Sequence, residues 1–317
     1  MRTMSFLRTG RLDEKVAIIT GATSGIGRAI ALAFAGAGVR VIIGDIRERP
    51  VGNRASTAED IRQAGGRALF VLADVSQKSQ VEELAQRALQ EYGRIDILVN
   101  NAGLAHVSAI EHTSDEVLRR LVEVNLYGVV YGVQAVLPVM RAQGSGHIIN
   151  IASGSAMLGL PYAGIYGATK AAIARFSESL RYELEETNIR VSVIFPDLTA
   201  TDLALEVTPD RNAATRTVRP FNQEGARQYG APRRALQSPD KVARAVLNCA
   251  LRPQSEVHLS LRIRLHALFR CFLPAAMSWE ARKERAAIRR FLEKVAKSEE
   301  EAEKMAAAEK GGIHRSA

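Results

Sequence analysis

Cysteine is nearly absent: the 317-residue chain holds two, Cys249 and Cys271. Two thiols in apolar surroundings make neither a disulfide framework nor a metal-ligand cluster, which leaves a reducing compartment as the default. Aromatic residues are scarce, at 5%. The formal charge of +9 and pI near 9.8 therefore come without the aromatic–basic pattern that reads nucleic acid. Much of that excess lies between Arg262 and Arg290, so it is local. No uninterrupted apolar run reaches the roughly 18 residues of a membrane span. Met1 to Gly10 carries Arg2 and Arg8 but no apolar core of signal-peptide length. These absences point to a cytoplasmic, metal-free protein.

What is present is a repeating alternation. Val16–Thr20 (VAIIT) is a short apolar run rich in β-branched residues, which reads as a buried parallel strand. Further strands are expected at Val39–Gly44, Ala68–Ala73, Ile95–Val99, His147–Ile151 and Arg190–Phe195, with a short last one at Glu256–Leu259. Helical patterns fall between them at Arg28–Ala37, Ala58–Ala64, Gln80–Tyr92, Asp115–Pro138 and Ala163–Glu186, and again at Asp240–Ala250. Such alternation predicts a three-layer, doubly wound parallel sheet in one domain over 12–260. Within it, 198–237 holds Pro209, Pro220 and Pro232 and few apolar residues, and reads as a long loop over a substrate site.

Chemistry gathers at the ends of the strands. Thr20-Gly21-Ala22-Thr23-Ser24-Gly25-Ile26-Gly27 joins the first strand to the first helix. Glycines there allow a tight turn and close approach of a pyrophosphate, and the helix N-terminus offers free N–H groups and a positive dipole. Gly21, Thr23, Ser24, Gly25, Ile26 and Gly27 are thus candidate dinucleotide contacts. Asp45 closes the second strand, where a carboxylate accepts from a ribose diol and repels a 2′-phosphate. This favours NAD(H), although Arg47 and Arg49 close by keep NADP(H) open. Asp74 and Val75 end the third strand at the place of an adenine, and Asn101, Ala102 and Gly103 follow the fourth.

Tyr166 and Lys170 stand four apart in a helical pattern, so they share a face. An ammonium beside a phenol favours the phenolate, so the tyrosine pKa is expected to fall and the pair to act as an acid/base near neutral pH.

With these motifs in this order, the chain resembles the short-chain dehydrogenase/reductase family, with its NAD(P)-binding Rossmann fold, from about Leu12 to Leu259. The resemblance implies an oxidoreductase that interconverts a secondary alcohol and a ketone. It casts Tyr166 as the general acid/base and Lys170 as its partner and holder of the nicotinamide ribose. Ser153 would hydrogen-bond the substrate oxygen, and Asn125 would hold a water linking Lys170 to solvent. Pro196, Thr199 and Thr201 would line the nicotinamide. Here the chain departs from the family pattern, since Asp197 stands where glycine is usual. The resemblance also implies a homodimer or homotetramer through the helices around Asn125 and Tyr166.

Met157, Leu158, Leu160 and Tyr162 suggest an apolar substrate site beneath 198–237. A C-terminal helical extension is expected over 261–317. In its first part Leu261, Leu265, Leu268, Phe269 and Phe272 share one face, and Arg262, His266 and Arg270 another. That pattern fits an interfacial helix in peripheral contact with a membrane through 261–273, or a helix packed on its own domain or a sister subunit. Together with Pro196-Asp197 it is loosely similar to the 3-ketodihydrosphingosine reductases, which implies a membrane-surface lipid or steroid ketone reductase as the alternative. A catalytically silent nucleotide-binding scaffold is the reading from a different class.

Overall fold

The computed structural model describes residues 12–50, 55–200, 204–208, 217–220, 236–261, 263–265, 285, 289, 290, 293, 297 and 301. Seven parallel strands form one sheet: β1 Val16–Thr20, β2 Arg40–Asp45, β3 Ala68–Leu72, β4 Ile97–Asn100, β6 Gly146–Ile151, β7 Ile189–Phe195 and β10 Glu256–His258. Their spatial order is β10-β7-β6-β4-β1-β2-β3. Order reverses at β1, between β4 and β2, which opens a crevice at the carboxyl ends.

Side-chain alternation builds a core on each face. Ala17 and Ile19 of β1 join Val41 and Ile43 of β2 under helices α1 (Gly25–Gly36) and α7 (Pro239–Leu251). Val16, Ile18 and Ile42 face the other way, under α3 (Lys78–Tyr92), α5 (Gly128–Gln143) and α6 (Gly164–Glu183). Both faces of the central strands are covered, so β1 and β4 are almost wholly apolar, while β6 and β7 carry a few buried polar residues such as His147, Asn150 and Ser192. Each fully buried Ile or Phe in these layers contributes about 1.5–3 kcal/mol. Short α2 (Thr57–Gln63) is fixed by a reciprocal cap between Ser56 and Glu59.

The structure corrects several expectations. The first helix begins at Gly25, three residues before Arg28, because the glycine turn flows straight into it. The helical region from Asp115 does not end at Pro138. It runs as α4 (Asp115–Val122), a π-turn at Glu123–Tyr127, and α5, with Pro138 inside. On average this run is apolar and long enough to cross a membrane, a feature the search for uninterrupted runs missed. Yet Val129, Val133, Val136 and Met140 are buried within the domain, three of them beneath the sheet. The stretch 198–237 is not all loop. Strands β8 (Ala204–Thr208) and β9 (Thr217–Pro220) form a second sheet with β5 (Ala105–Ser108), β5–β8 parallel and β8–β9 antiparallel. Three short strands without long apolar runs give a weak pattern, so pairing with β5 decides them. Beyond 260 every described position is helical. Arg289 and Glu293 pair at 3.4 Å, as i,i+4 spacing allows.

Two polar groups stitch the sheet. Asp96, before β4, accepts from Lys15 Nζ at 2.9 Å, from Arg94 Nε at 2.7 Å and Nη2 at 2.6 Å, and from Val16 N at 3.0 Å. These cations and donors hold its carboxyl below the ordinary range against the opposing effect of burial. His147 of β6 shares a 2.8 Å hydrogen bond with Ser192 of β7. Burial, aided by the Arg190 charge, pushes the His147 imidazole down to about 4.

The unfolded imidazole titrates near 6.5, so the unfolded state binds the proton first as pH falls. The stability from neutral His147 is therefore complete above pH ~6.5 and is lost progressively down to about pH 4. Urea unfolding across this range should show a fall of up to about 3 kcal/mol that is much shallower in His147→Gln. An unchanged slope in the variant would remove His147 as the cause.

Candidate active site

The glycine turn is built to leave no room for side chains. Gly21 and Gly25 have φ of +64° and +55°, a region in which a Cβ is strained. A Cβ on Gly21 would stand 2.8 Å from Ala102 Cα, and one on Gly27 would meet Asn101 Nδ2 at 2.5 Å and the Gly21 carbonyl closer still. Thr20 Oγ1 accepts from Asn101 N at 3.0 Å and from Ala102 N at 3.1 Å, while Asn101 Nδ2 donates to Thr20 O at 2.9 Å. So the turn after β1 and the Asn101–Gly103 segment after β4 are one unit. Thr20 was missed as a site residue; its place at the last strand position, just before the glycine, was the available signal.

Ser24 holds the N-cap position of α1, but its side chain makes no capping bond. The first N–H groups of the helix are therefore not satisfied by their own cap, which suits an incoming anion. Ile26 sits in the first turn, partly buried against the core. A pyrophosphate suits these free N–H groups, and a side chain at Gly27 would clash with the Gly21 carbonyl and Asn101 inside the turn that presents them.

Asp45 lies at the rim. Its Oδ2 accepts from Thr23 N at 2.9 Å and its Oδ1 from Ile46 N at 2.8 Å. Each oxygen keeps further acceptor capacity. Thr23 is less available than expected, since its Oγ1 donates to Arg47 O at 2.6 Å. Arg47 is exposed, and Arg49 donates to Glu59 at 2.6 Å. Asp74 Oδ1 accepts from Ser76 N at 2.9 Å and Ser76 Oγ at 2.8 Å, and Val75 is buried against Gly128.

The second half of the site hangs on α6. Lys170 is 5% exposed, and its Nζ donates to Ile151 O, the end of β6, at 3.0 Å. Burial pushes its ammonium down to about 8. Tyr166, one turn earlier, hydrogen-bonds Ser153 and lies with its ring centroid 5.9 Å from Lys170 Nζ. The expected fall in the tyrosine pKa is not what this geometry produces. Burial raises it, and the Ser153 hydrogen bond offsets only part of the rise. The reason is reach: the lysine head is spent on Ile151 rather than on the phenol oxygen. Ser153 also caps a short 3₁₀ turn, accepting from Ser155 N at 3.2 Å, so the capping and catalytic readings coexist.

Asn125 sits in the π-turn, fully buried. Its Oδ1 accepts from Leu104 N at 2.7 Å, and its Nδ2 donates to Leu104 O at 3.0 Å and Thr169 Oγ1 at 3.0 Å. Its side chain is thus occupied at both ends, and Thr169 joins the site as a residue the sequence did not single out. A Cβ on Gly103 would stand 3.1 Å from Asn125 Oδ1 and 3.3 Å from Lys170 Nζ, so all three converge.

After β7, Pro196 is buried and its carbonyl accepts from Gly154 N at 2.8 Å. Asp197 needs no left-handed backbone; its Oδ1 accepts from Leu198 N at 2.9 Å, and its carbonyl accepts from Thr199 Oγ1 at 2.7 Å. The loss of glycine at this position is therefore tolerated by the local turn. Thr199 is bridged to Gln237. Thr201 lies outside the described residues. At the start of α6 opens a cleft of about 480 Å³ with a mixed lining that includes His106, Glu111 and Arg285 beside Ile110, Leu160 and Ile165; Ser153, Tyr166 and Lys170 are not part of that lining. Tyr162, at its edge, adopts φ +63°, and its carbonyl accepts from Ser108 N at 2.8 Å.

This arrangement places the glycine turn after β1 and a set of half-buried Ser153 and Tyr166 with buried Lys170 at the carboxyl ends of the same sheet. The sequence profile of the short chain dehydrogenases matches residues 15–212, and the chain belongs to that family. An uncharacterized oxidoreductase of Staphylococcus saprophyticus is 40% identical over 193 residues, 61% of this chain and 82% of that protein. The 3-oxoacyl-(acyl-carrier-protein) reductase of Thermotoga maritima is 33% identical over 238 residues, 75% of this chain and 90% of that one. Among solved structures, a short-chain dehydrogenase/reductase from Burkholderia phymatum in complex with NAD superimposes with a TM-score of 0.72 at 30% identity, over 83% of this chain and 95% of that one. The 3-ketoacyl-(acyl-carrier-protein) reductase of Brucella melitensis, complexed with NADH, gives 0.64 at 30% identity, over 78% and 97%.

Gly27→Ala should lower the unfolding free energy by about 1–3 kcal/mol, because the new methyl meets backbone. Gly164→Ala meets nothing within 4 Å and opens a helix, so it should be neutral or slightly stabilising. Denaturant titration of the two variants tests the contrast; equal stabilities would refute the packed-turn account.

Proposed function

We propose that the protein is an NAD(H)-preferring oxidoreductase that interconverts a secondary alcohol and a ketone on a small, largely apolar substrate. The observation that carries this reading is the meeting of Ser153, Tyr166 and Lys170 at the strand ends, beside the glycine cradle.

The chain's residues divide the work. Gly21 to Gly27 and the N-terminus of α1 hold the pyrophosphate, Asp45 the adenosine ribose, and Asp74 and Val75 the adenine surroundings. Asn101 to Gly103, Lys170, Pro196 and Thr199 line the nicotinamide half, with Thr201 as the sequence expectation for its carboxamide. A bound nicotinamide supplies or accepts the hydride at the substrate carbon. Ser153 and Tyr166 orient the substrate oxygen, and Tyr166 passes the proton to it. Burial raises the pKa of the Tyr166 phenol, which is the proton donor when a ketone is reduced and the acceptor when an alcohol is oxidised. Lys170, with its pKa near 8, stays largely charged at pH 7 and helps hold negative charge near the phenol. Asn125 fixes Leu104 and Thr169 around it, so a proton-carrying water would be positioned by main chain rather than by the amide side chain.

The aliphatic part of the cleft's mixed lining, Ile110, Leu160, Pro161 and Ile165, supports a substrate with an apolar portion. A membrane-surface lipid ketone reductase is the second reading, favoured by Leu261 and Leu265, which are 70% and 42% exposed. Flotation with liposomes, with and without residues 261–317, decides it. Leu118 and Tyr127 are exposed on the helical run 115–143, which supports assembly into a homodimer or homotetramer. Light scattering reads that state.

Tyr166→Phe should lower kcat by about 10²–10⁴-fold while NADH affinity, read by fluorescence, is kept. Full turnover in the variant refutes the mechanism, and tight NADH binding without turnover on any ketone favours a silent scaffold. Asp45→Ala should narrow the preference for NADH over NADPH by about tenfold or more. An unchanged ratio would remove Asp45 as the discriminator.

A further inference from the structure

Among the described residues, the C-terminal extension meets the Ser153–Gly154 loop through Ile263. β10 ends at His258, whose ring stacks on Phe195 at 4.7 Å between centroids. Leu259 N then donates to Phe195 O at 3.3 Å, and Arg264 N donates to Ser260 O at 3.1 Å, closing the first helical turn of the extension. That turn drives Ile263 into the domain, where it is 0% exposed. Of the expected apolar face, Leu261 and Leu265 are exposed, and Ile263 on the opposite side makes the contact with the domain.

Its seat is Gly154, the residue after Ser153. A Cβ on Gly154 would stand 2.5 Å from Ile263 Cδ1 and 3.1 Å from Cγ1. Gly154 has no left-handed φ, so what a side chain there would meet is Ile263, which would have to move aside, while the Pro196 carbonyl lies at ordinary contact distance. Gly154 N donates to that carbonyl at 2.8 Å, and Ser155 N donates to Ser153 Oγ at 3.2 Å. Ile263 therefore stands behind a short loop whose next residue back presents its hydroxyl to Tyr166. It also lies outside residues 15–212, the part shared with the family profile.

We propose that Ile263 is a positioning residue for Ser153: by packing on Gly154 it holds the catalytic loop against Pro196, and so makes the C-terminal extension part of the reaction site's support. The proposal rests on the reading of Ser153 as the group that orients the substrate oxygen. A loop free to shift by a fraction of an ångström would misplace that hydroxyl relative to Tyr166, and small misplacements of reacting groups are costly.

The full-length chain carries the test. Ile263→Ala should lower kcat for ketone reduction about tenfold, with NADH affinity within about twofold of the parent. Ile263→Val should restore most of it. Gly154→Ala should also lower kcat, and Gly154→Ala/Ile263→Val, lacking the methyl that the new Cβ meets, should regain part of the loss. Hydrogen exchange at the Gly154 amide should quicken in Ile263→Ala while the amides of β1 keep their rates. Parental kcat in Ile263→Ala overturns the proposal, and so does a loss of protection spread evenly over the sheet, which would make Ile263 merely structural. If the parent chain reduces no ketone, the functional reading fails, and exchange at Gly154 alone then decides whether Ile263 holds the loop.

Discussion

Burying an ammonium is costly, and the rest of the site is arranged around the one on Lys170. Its head reaches across α6 to the carbonyl that ends β6. That carbonyl is in place only if β6 and α6 keep a fixed spacing. A buried chain of amides and hydroxyls sets it: Asn100 Nδ2 donates to Asn150 Oδ1 at 2.9 Å, Asn150 Nδ2 to Ser177 Oγ at 2.8 Å, and Ser177 Oγ to Ile173 O at 2.7 Å. The chain ties β4, β6 and α6 in sequence. Each member is fully or almost fully buried, so losing one would strand its partners without water. The same strand end that carries Asn100 continues into Asn101, which grips the glycine turn. The helix that carries Tyr166 and Lys170 and the glycine turn after β1 are thus tied together by one polar thread through the sheet.

The π-turn belongs to the same constraint. An extra residue in the helical run shifts Asn125 inward, where its amide grips the main chain of Leu104 from both ends. π-turns cost hydrogen-bond geometry and persist where a side chain is needed at a particular place. Here the gain is the closing of the loop after β4 over Lys170.

Much of this was legible in the chain. Six strands of the main sheet were readable because strands covered on both faces are largely apolar runs such as VAIIT or HIINI, whereas β10, EVH, is short and partly exposed. The glycines, Asp45 and Tyr166 could be placed because their use depends on position along the chain, at strand ends and at i,i+4 spacing. What was not legible depends on distance in space. Strand β8 exists through pairing with β5, about a hundred residues away, and β9 through pairing with β8, and their own sequence is mixed. The π-turn leaves no compositional trace. Ile263 gave no signal either, because amphipathic periodicity weighs the larger face, Leu261 with Leu265, whereas a single branched side chain opposite a glycine made the contact.

The tyrosine shows the same limit in energetic terms. Spacing of four says that two side chains leave the helix in one direction; it does not say where a flexible four-carbon stem ends. Lys170 extends past the phenol to a carbonyl, and the phenol is left with burial as its dominant influence. A protonated Tyr166 and a buried ammonium with a pKa near 8 are mutually consistent, because neither relies on the other's charge in the ligand-free chain. Negative charge near them, from a reducible carbonyl as it gains electrons, is what would couple the two. The pair is therefore better described as a donor and a field prepared for an oxyanion than as a phenolate held ready by its lysine.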